Sequence, residues 1–379
     1  MEKTRRQGFA SGFLNRDWLF LHLIPAPGMI TIFTPSFADE ADTNAQNLSV
    51  KEIVARLDPE RAAVTMLHEG VVDSRIASRP NTTLLRWHKH GNTLRTAWQI
   101  LRRVPDVYFF PREGPLDAVF LGMRQHLRLR TALVTYIVSG GLYSQGYAPA
   151  RIRNIHEADV VIANNDYLGL LLKEKFGVDS QTIYDGIDRR YFPPPEPTRA
   201  SRDSVTVLFA GSLRPYKRAP LVVRQGAQWP EVRFHIAGVG EEERLCKNLA
   251  AELKCGNVEF LGHLSQSQLA DEMRCADIFF FPSVVEGQPQ VLLQAAASGL
   301  PAIAMEIYRP DSIVHGTTGF LAANDHELAE KLDLLIRQPE LRHRMGEAAV
   351  AHARKFDWDQ IAGQWLTVFE QAAAQRRTS

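Results

Sequence analysis

Short apolar runs, each followed by a helical pattern and then by another such run, constrain this chain more than any other feature. From Met29 the alternation reads MITIFTP, NLSVKEIVARL, AAVTML, TTLLRW, TAWQILRRV, DVYFFP, TALVTYIV and ADVVIANN. Strands that alternate with helices of this length indicate βαβ units around a parallel sheet. The alternation stops at RRYFPPPEPTRASRDS, where Pro193, Pro194, Pro195 and Pro197 precede a polar stretch. Proline stiffens such a segment and removes its hydrogen-bond donors, so it reads as a linker. A second series then begins, with VTVLFAG, EVRFHIAG, NVEFLG, DIFFFPS and LPAIAM as strands and EEERLCKNLAAEL and LAEKLDLLIRQ as helices. The organisation expected is therefore two α/β domains, 29–192 and 205–355, joined by a linker over 193–204. Residues 1–28 fit neither series and are expected to be an appended arm or to lie ahead of a start at Met29.

The 379 residues suit two domains of about 150 residues each. A hydrophobic share of 45% with 23% charged residues is that of a globular protein, and a formal net charge of +1 argues against a dedicated nucleic-acid binder. Cys246, Cys255 and Cys275 are odd in number and lack the close pairing of a zinc site, so they read as free thiols in a reducing, cytoplasmic compartment, and no metal is expected. The apolar stretch DWLFLHLIPAPGMITIF contains Asp17 and His22 and is broken by Pro25 and Pro27, which makes it too short for a membrane span of about 20 residues.

Two strand ends of the second series carry features that suit an anion. In FAGSLRPYKR, Gly211 lets backbone amides approach a ligand, and Lys217 with Arg214 or Arg218 offers positive charge to phosphate. In IAGVGEEE, Gly238 and Gly240 stand at another strand end without completing the dinucleotide fingerprint G-x-G-x-x-G, which disfavours a dehydrogenase. A third strand, DIFFFP, runs into VVEG and then a helix expected to start at Pro289, where the missing N–H costs nothing. The amides of Gln290, Val291 and Leu292 would then face a ligand beside Glu286 and Gly287. In an open α/β sheet, ligands bind beyond the carboxyl ends of the strands, which is where Gly211, Lys217 and Glu286 would converge.

These residues resemble the retaining nucleotide-sugar glycosyltransferases of family 4. The likeness runs from about Val205 to Gln371 through FAGSLRPYK, FHIAGVG, VEFLGHL, CADIFFFPSVVEGQPQVLLQAAASGLPAIA, HGTTGFL, PELRHRMGEAA and FDW, in the family's order. It is weaker in the first half, where it rests on EADVVIANN and IYDGIDRRYF. The resemblance implies a GT-B fold, in which two Rossmann-like domains with parallel sheets face each other across a cleft, and a C-terminal helix over 356–379 that crosses back to the first domain. It implies metal-independent transfer of a sugar from a nucleotide diphosphate sugar to a carbohydrate or lipid-linked acceptor, with no cofactor. By the same resemblance Lys217 stabilises the donor diphosphate, Glu286 faces the transferred sugar, and Gln294 takes the place of the acid that grips the ribose hydroxyls. A nucleotide-sugar-binding protein of the same fold without transferase activity is the alternative.

The chain departs from the family's pattern at several places. Ser212 stands where the diphosphate arginine is usual, which leaves Arg214 to compensate, and Pro289 removes an amide near the sugar. Gln294 supplies a neutral hydrogen bond in place of a charge-assisted one about twice as strong. The histidine usual after the VTY strand has no replacement at Ile137–Ser139. In the first domain, Asp42, Asn44, Asn47 and the segment Arg112–Asp117 are candidates for the acceptor side. Residues 84–130 contain nine Lys or Arg against three acids, with Trp87 and Trp98 interleaved, which reads either as a solvated basic face or as a peripheral contact with an anionic membrane at its inner face.

Overall fold

A computed structural model describes residues 28–40, 45–87, 93–111, 114–138, 148–193 and 204–378. Asp42, Asn44, Arg112, Ser139 and nearly all of the arm and linker expectations lie outside the described residues. The first domain holds a parallel sheet of β1 (Ile30–Phe37), β2 (Ala62–His68), β3 (Thr82–Arg86), β4 (Val107–Phe109), β5 (Ala132–Ile137), β6 (Val160–Ala163) and β7 (Gln181–Thr182). Its strand order is β3-β2-β1-β4-β5-β6-β7. The crossovers include α1 (Ala45–Arg56), α2 (Ser74–Ser78), α3 (Thr93–Leu101), α4 (Pro115–His126), α5 (Pro149–Glu157) and α6 (Asp166–Phe176).

The second domain repeats the plan with β8 (Thr206–Ala210), β9 (Arg233–Ala237), β10 (Val258–Gly262), β11 (Ile278–Phe281), β12 (Ala302–Met305) and β13 (Gly319–Ala322), in the order β10-β9-β8-β11-β12-β13. Helices α7 (Ala219–Gln228), α8 (Glu243–Glu252), α9 (Gln266–Cys275), α10 (Gln290–Ala297), α11 (Asp325–Arg337) and α12 (Pro339–Ala353) pack against it. Every pairing in both sheets is parallel, for instance Ile32 beside Val107 and Phe279 beside Ala302. A sheet covered on both faces needs apolar side chains at successive positions, which explains why β11 is IFFF and buried at all four. Strand order reverses between β1 and β4 and again between β8 and β11, and the crevice beyond a reversal is where an open α/β sheet can admit a ligand.

The last helix, α13 (Trp358–Thr378), leaves the second domain and packs into the first. Trp365 is fully buried with its ring centroid 5.0 Å from that of Phe109 and 4.8 Å from that of Tyr136. Truncating one such buried aromatic costs about 3–5 kcal/mol, far more than the surface ion pairs Arg61–Glu370 and Arg377–Asp106 that flank the helix.

Candidate active site

The loop after β8 closes in a helical turn, Pro215–Lys217, and returns through Arg218 in a left-handed conformation. Beside it the chain leaves β11 through Pro282 and Ser283, and the two loops are tied by the Val284 amide on the Tyr216 carbonyl at 3.0 Å. This tie brings Lys217 Nζ onto Glu286 Oε1, and Ser283 Oγ donates to the same oxygen. The ammonium also lies 4.9 Å from the centroid of the Phe281 ring, so its stem rests on the end of the strand. Both side chains are largely shielded, at 13% and 11% exposure. Attraction between them is therefore stronger than between the same charges in water.

The glycines are placed by packing. Gly238 has φ +137°, and a Cβ there would stand 1.9 Å from the Gly211 carbonyl oxygen. A Cβ on Gly240 would stand 2.5 Å from the Leu213 carbonyl oxygen, so the loops after β8 and β9 touch main chain to main chain. Gly287 meets the other domain. A Cβ on it would approach the Val138 carbonyl to 2.5 Å, at the end of β5. Where a histidine was sought over Ile137–Ser139, the first domain thus presents a carbonyl against the Glu286 loop, with Ile137 itself buried.

The other candidate residues have the following surroundings. Helix α10 begins at Gln290, with Pro289 as its cap in extended conformation, and the Leu292 amide is used by the Pro289 carbonyl at 3.1 Å. The Gln290 side chain bonds Asp185. Arg218 pairs with the exposed Asp325, and Arg214 and Ser212 are themselves exposed. Gln294 is 9% exposed and donates Nε2 to Gln266 Oε1 at 3.0 Å, so its amide already has a neighbour on α9. Val291 is half-buried on the second domain's core. In the first domain Asn47 is buried, and Asp117 serves structure: it accepts from the Tyr108 hydroxyl at 2.7 Å and the Gly114 amide at 3.0 Å.

Sequence reasoning did not find Asp185. This carboxylate is 3% exposed and accepts from Ser49 Oγ at 2.7 Å, Tyr136 OH at 2.8 Å and Asn164 Nδ2 at 3.0 Å, besides Gln290. Burial raises its pKa above the ordinary carboxylate value, and the four hydrogen bonds oppose that rise. The only hint in the sequence is DGID, which marks a tight passage without saying what it meets. A cavity of about 300 Å³ behind this passage is lined by Arg56, Arg75, Arg189 and Arg190, each paired with an acid, so it presents no free cation to an anion.

On the outer face of the first domain, α3 exposes Leu94, Trp98 and, just beyond it, Val104, and the Arg102 guanidinium covers the Trp98 ring at 4.1 Å. Arg86, Arg95, Arg103, Arg128 and Arg130 are also exposed. Arg124, counted with them in the sequence, is instead buried on Asp159. Lys89 lies outside the described residues. No described helix is long and apolar enough to cross a membrane.

Three comparisons with known proteins bear on this chain. Residues 195–352 match the model of the group 1 glycosyl transferases. A D-inositol 3-phosphate glycosyltransferase of Streptomyces bingchenggensis is 30% identical over 243 residues, which is 57% of this chain and 53% of that protein. Its counterpart in Mycobacterium leprae is 31% identical over 240 residues, 58% of this chain and 56% of the relative. The match thus spans about half the length of these curated relatives. Among solved structures, sucrose-phosphate synthase from Thermosynechococcus elongatus superimposes with a TM-score of 0.75 at 17% identity, over 92% of this chain and 100% of that one. Anabaena HepE in complex with UDP and glucose gives 0.71 at 18% identity, over 90% and 100%. Residues 195–352 are thus similar to the group 1 glycosyl transferases, and the chain that contains them has the GT-B fold.

Proposed function

We propose that this protein is a retaining glycosyltransferase that moves a hexose or deoxyhexose from a nucleotide diphosphate sugar to a carbohydrate or lipid-linked acceptor, without a metal ion. The observation that carries this reading is the Lys217–Glu286 pair at the strand-order reversal of the second domain. A departing diphosphate needs positive charge where its own charge grows, and Lys217 supplies it from a fixed turn. Glu286, released from that cation, becomes an acceptor for the hydroxyls of the sugar and holds the anomeric carbon in a near-attack position. The acceptor enters from the first domain, whose Val138 carbonyl already abuts Gly287.

UDP-glucose is the first donor to test, because HepE binds it at the same fold. Thermal stabilisation by UDP-glucose, with transfer or slow hydrolysis that persists in a chelator, is the expected result. At 100 times its dissociation constant a ligand adds about 2.7 kcal/mol to the folded state. Loss of activity with the chelator, restored by magnesium or manganese, would overturn metal independence. Binding of nucleotide sugars without turnover would favour a binding protein, a reading motivated by the engaged Gln294 amide. Contact with an anionic bilayer through α3 belongs to the same proposal, since Leu94 and Trp98 stand among cations. Co-sedimentation with phosphatidylserine vesicles, weakened by Trp98→Ser, is the result that supports it.

A further inference from the structure

Beyond β12 the chain makes one helical turn, Glu306–Tyr308, which carries the Tyr308 ring into the core at 0% exposure. Strands β11 and β12 pair with Phe281 beside Ala304, so Tyr308 and Glu286 belong to neighbouring loops that leave adjacent strand ends. Burial, and after it the negative charge of Glu286, raise the pKa of the Tyr308 phenol well above its ordinary value. Yet the Tyr308 hydroxyl has no hydrogen-bond partner among the described residues. Buried polar groups are seldom left so, and a phenylalanine would fill the same space without that defect.

Glu286 is satisfied on one oxygen only by what the structure shows, since Lys217 and Ser283 both reach Oε1. On the proposed function a donor diphosphate competes for Lys217, and each step of the ammonium toward phosphate strips charge from the carboxylate. A carboxylate left in a shielded site without its cation needs another donor. We infer that Tyr308 is a positioning residue for Glu286: when a diphosphate draws Lys217 away, the Tyr308 hydroxyl donates to the carboxylate and keeps it aimed at the sugar. In the donor-free protein Lys217 and Ser283 hold the carboxylate through Oε1, and the phenol has no partner among the described residues. Ser283 stays in place, since its loop is fixed to the Tyr216 carbonyl.

The inference rests on the glycosyltransferase reading for its consequence, but it can be tested without a donor. Urea midpoints are measured for the unmodified protein, Tyr308→Phe, Lys217→Met and the double variant. Tyr308→Phe should leave the midpoint unchanged or raise it when Lys217 is present, and should lower it in the Lys217→Met background, where the phenol has taken over Glu286. The same shift in both backgrounds would overturn the inference. If Lys217→Met does not fold, inorganic pyrophosphate replaces the substitution: it should bind Tyr308→Phe several-fold more weakly than the unmodified protein, and equal binding would overturn the inference. With UDP-glucose, Tyr308→Phe should raise donor KM several-fold, in step with the weaker binding of pyrophosphate, and lower kcat about tenfold. Unchanged kcat would also overturn it. Failure of the unmodified protein to bind UDP-glucose would count against the donor assignment alone, because the donor-free midpoints still decide the role of Tyr308.

Discussion

Asp185 and Glu286 are both shielded from water at the domain junction, one on each side of the cleft, yet the first is surrounded by neutral donors and the second faces a cation. Four hydroxyl and amide dipoles around Asp185 come from α1, β5, the end of β6 and the start of α10, so this carboxylate ties the Glu286 loop to the first domain. Fixed dipoles cannot be carried off by a ligand. Lys217, by contrast, is a single mobile charge on a flexible stem, and a diphosphate competes for it directly. The difference separates a carboxylate that holds the architecture from one whose surroundings change during a reaction cycle.

The largest expected effect tests the mobile side of this contrast. Lys217→Met should reduce kcat/KM by about 10²–10³-fold, the size seen when one preorganised charge-stabilising donor is lost, with only a small change in stability. Steady-state kinetics beside a urea titration checks it, and a protein that unfolds instead would make Lys217 a structural cation. Asp185→Ala addresses the fixed side. It strands the hydroxyls of Ser49 and Tyr136 and the Asn164 amide, so folding stability should fall by about 3 kcal/mol, taking about 1–3 kcal/mol for each unsatisfied group and allowing for partial relaxation. A loss below about 1 kcal/mol would show that water enters and replaces the carboxylate.

A third junction carboxylate extends the comparison. Asp311 has one buried oxygen without a partner, and burial, then the charge of Asp166, raise its carboxyl from 3.8 to about 6. Because the folded value lies above the unfolded one, its contribution is fully present below about pH 3.8 and is lost as pH rises to about 6. Asp311→Asn should remove that decline and stabilise the protein by about 1–2 kcal/mol at pH 7 to 8. The raised value alone would suggest about 3 kcal/mol, but solvent reaches part of the group. Denaturation midpoints across pH 4 to 8 measure this, and parallel curves for the two proteins would contradict it. The smallest effect concerns Gln294. Its change to Glu leaves Gln266 able to turn its amide and donate, and offers a charged acceptor to a ribose hydroxyl, so UDP-glucose should bind about fivefold more tightly. Weaker binding in a calorimetric titration would mean that the site is built around the amide.

Much of the architecture was legible because it is local. The period of apolar residues and the prolines after Phe192 act over a few residues, and both sheets follow from them with the parallel crossovers. Lys217 and Glu286 were legible as polar residues at strand ends, and the reversal between β8 and β11 brings exactly those two ends side by side. Arg124 read as an exposed cation and is instead buried on Asp159, 35 residues away, while Arg218 pairs with Asp325 across 107 residues.

The sequence by itself therefore determined two parallel α/β domains, their order, and which strand ends carry a cation and a carboxylate. Tertiary structure alone decided which charges are free, which carboxylate is surrounded by dipoles, and which hydroxyl is left unpartnered. Asp185 meets Tyr136 across 49 residues of chain and Ser49 across 136, and Tyr308 reaches the field of Glu286 from a neighbouring strand end. The physical reason is that secondary structure follows from interactions within a few residues, whereas desolvation and charge pairing depend on which distant segments exclude water together.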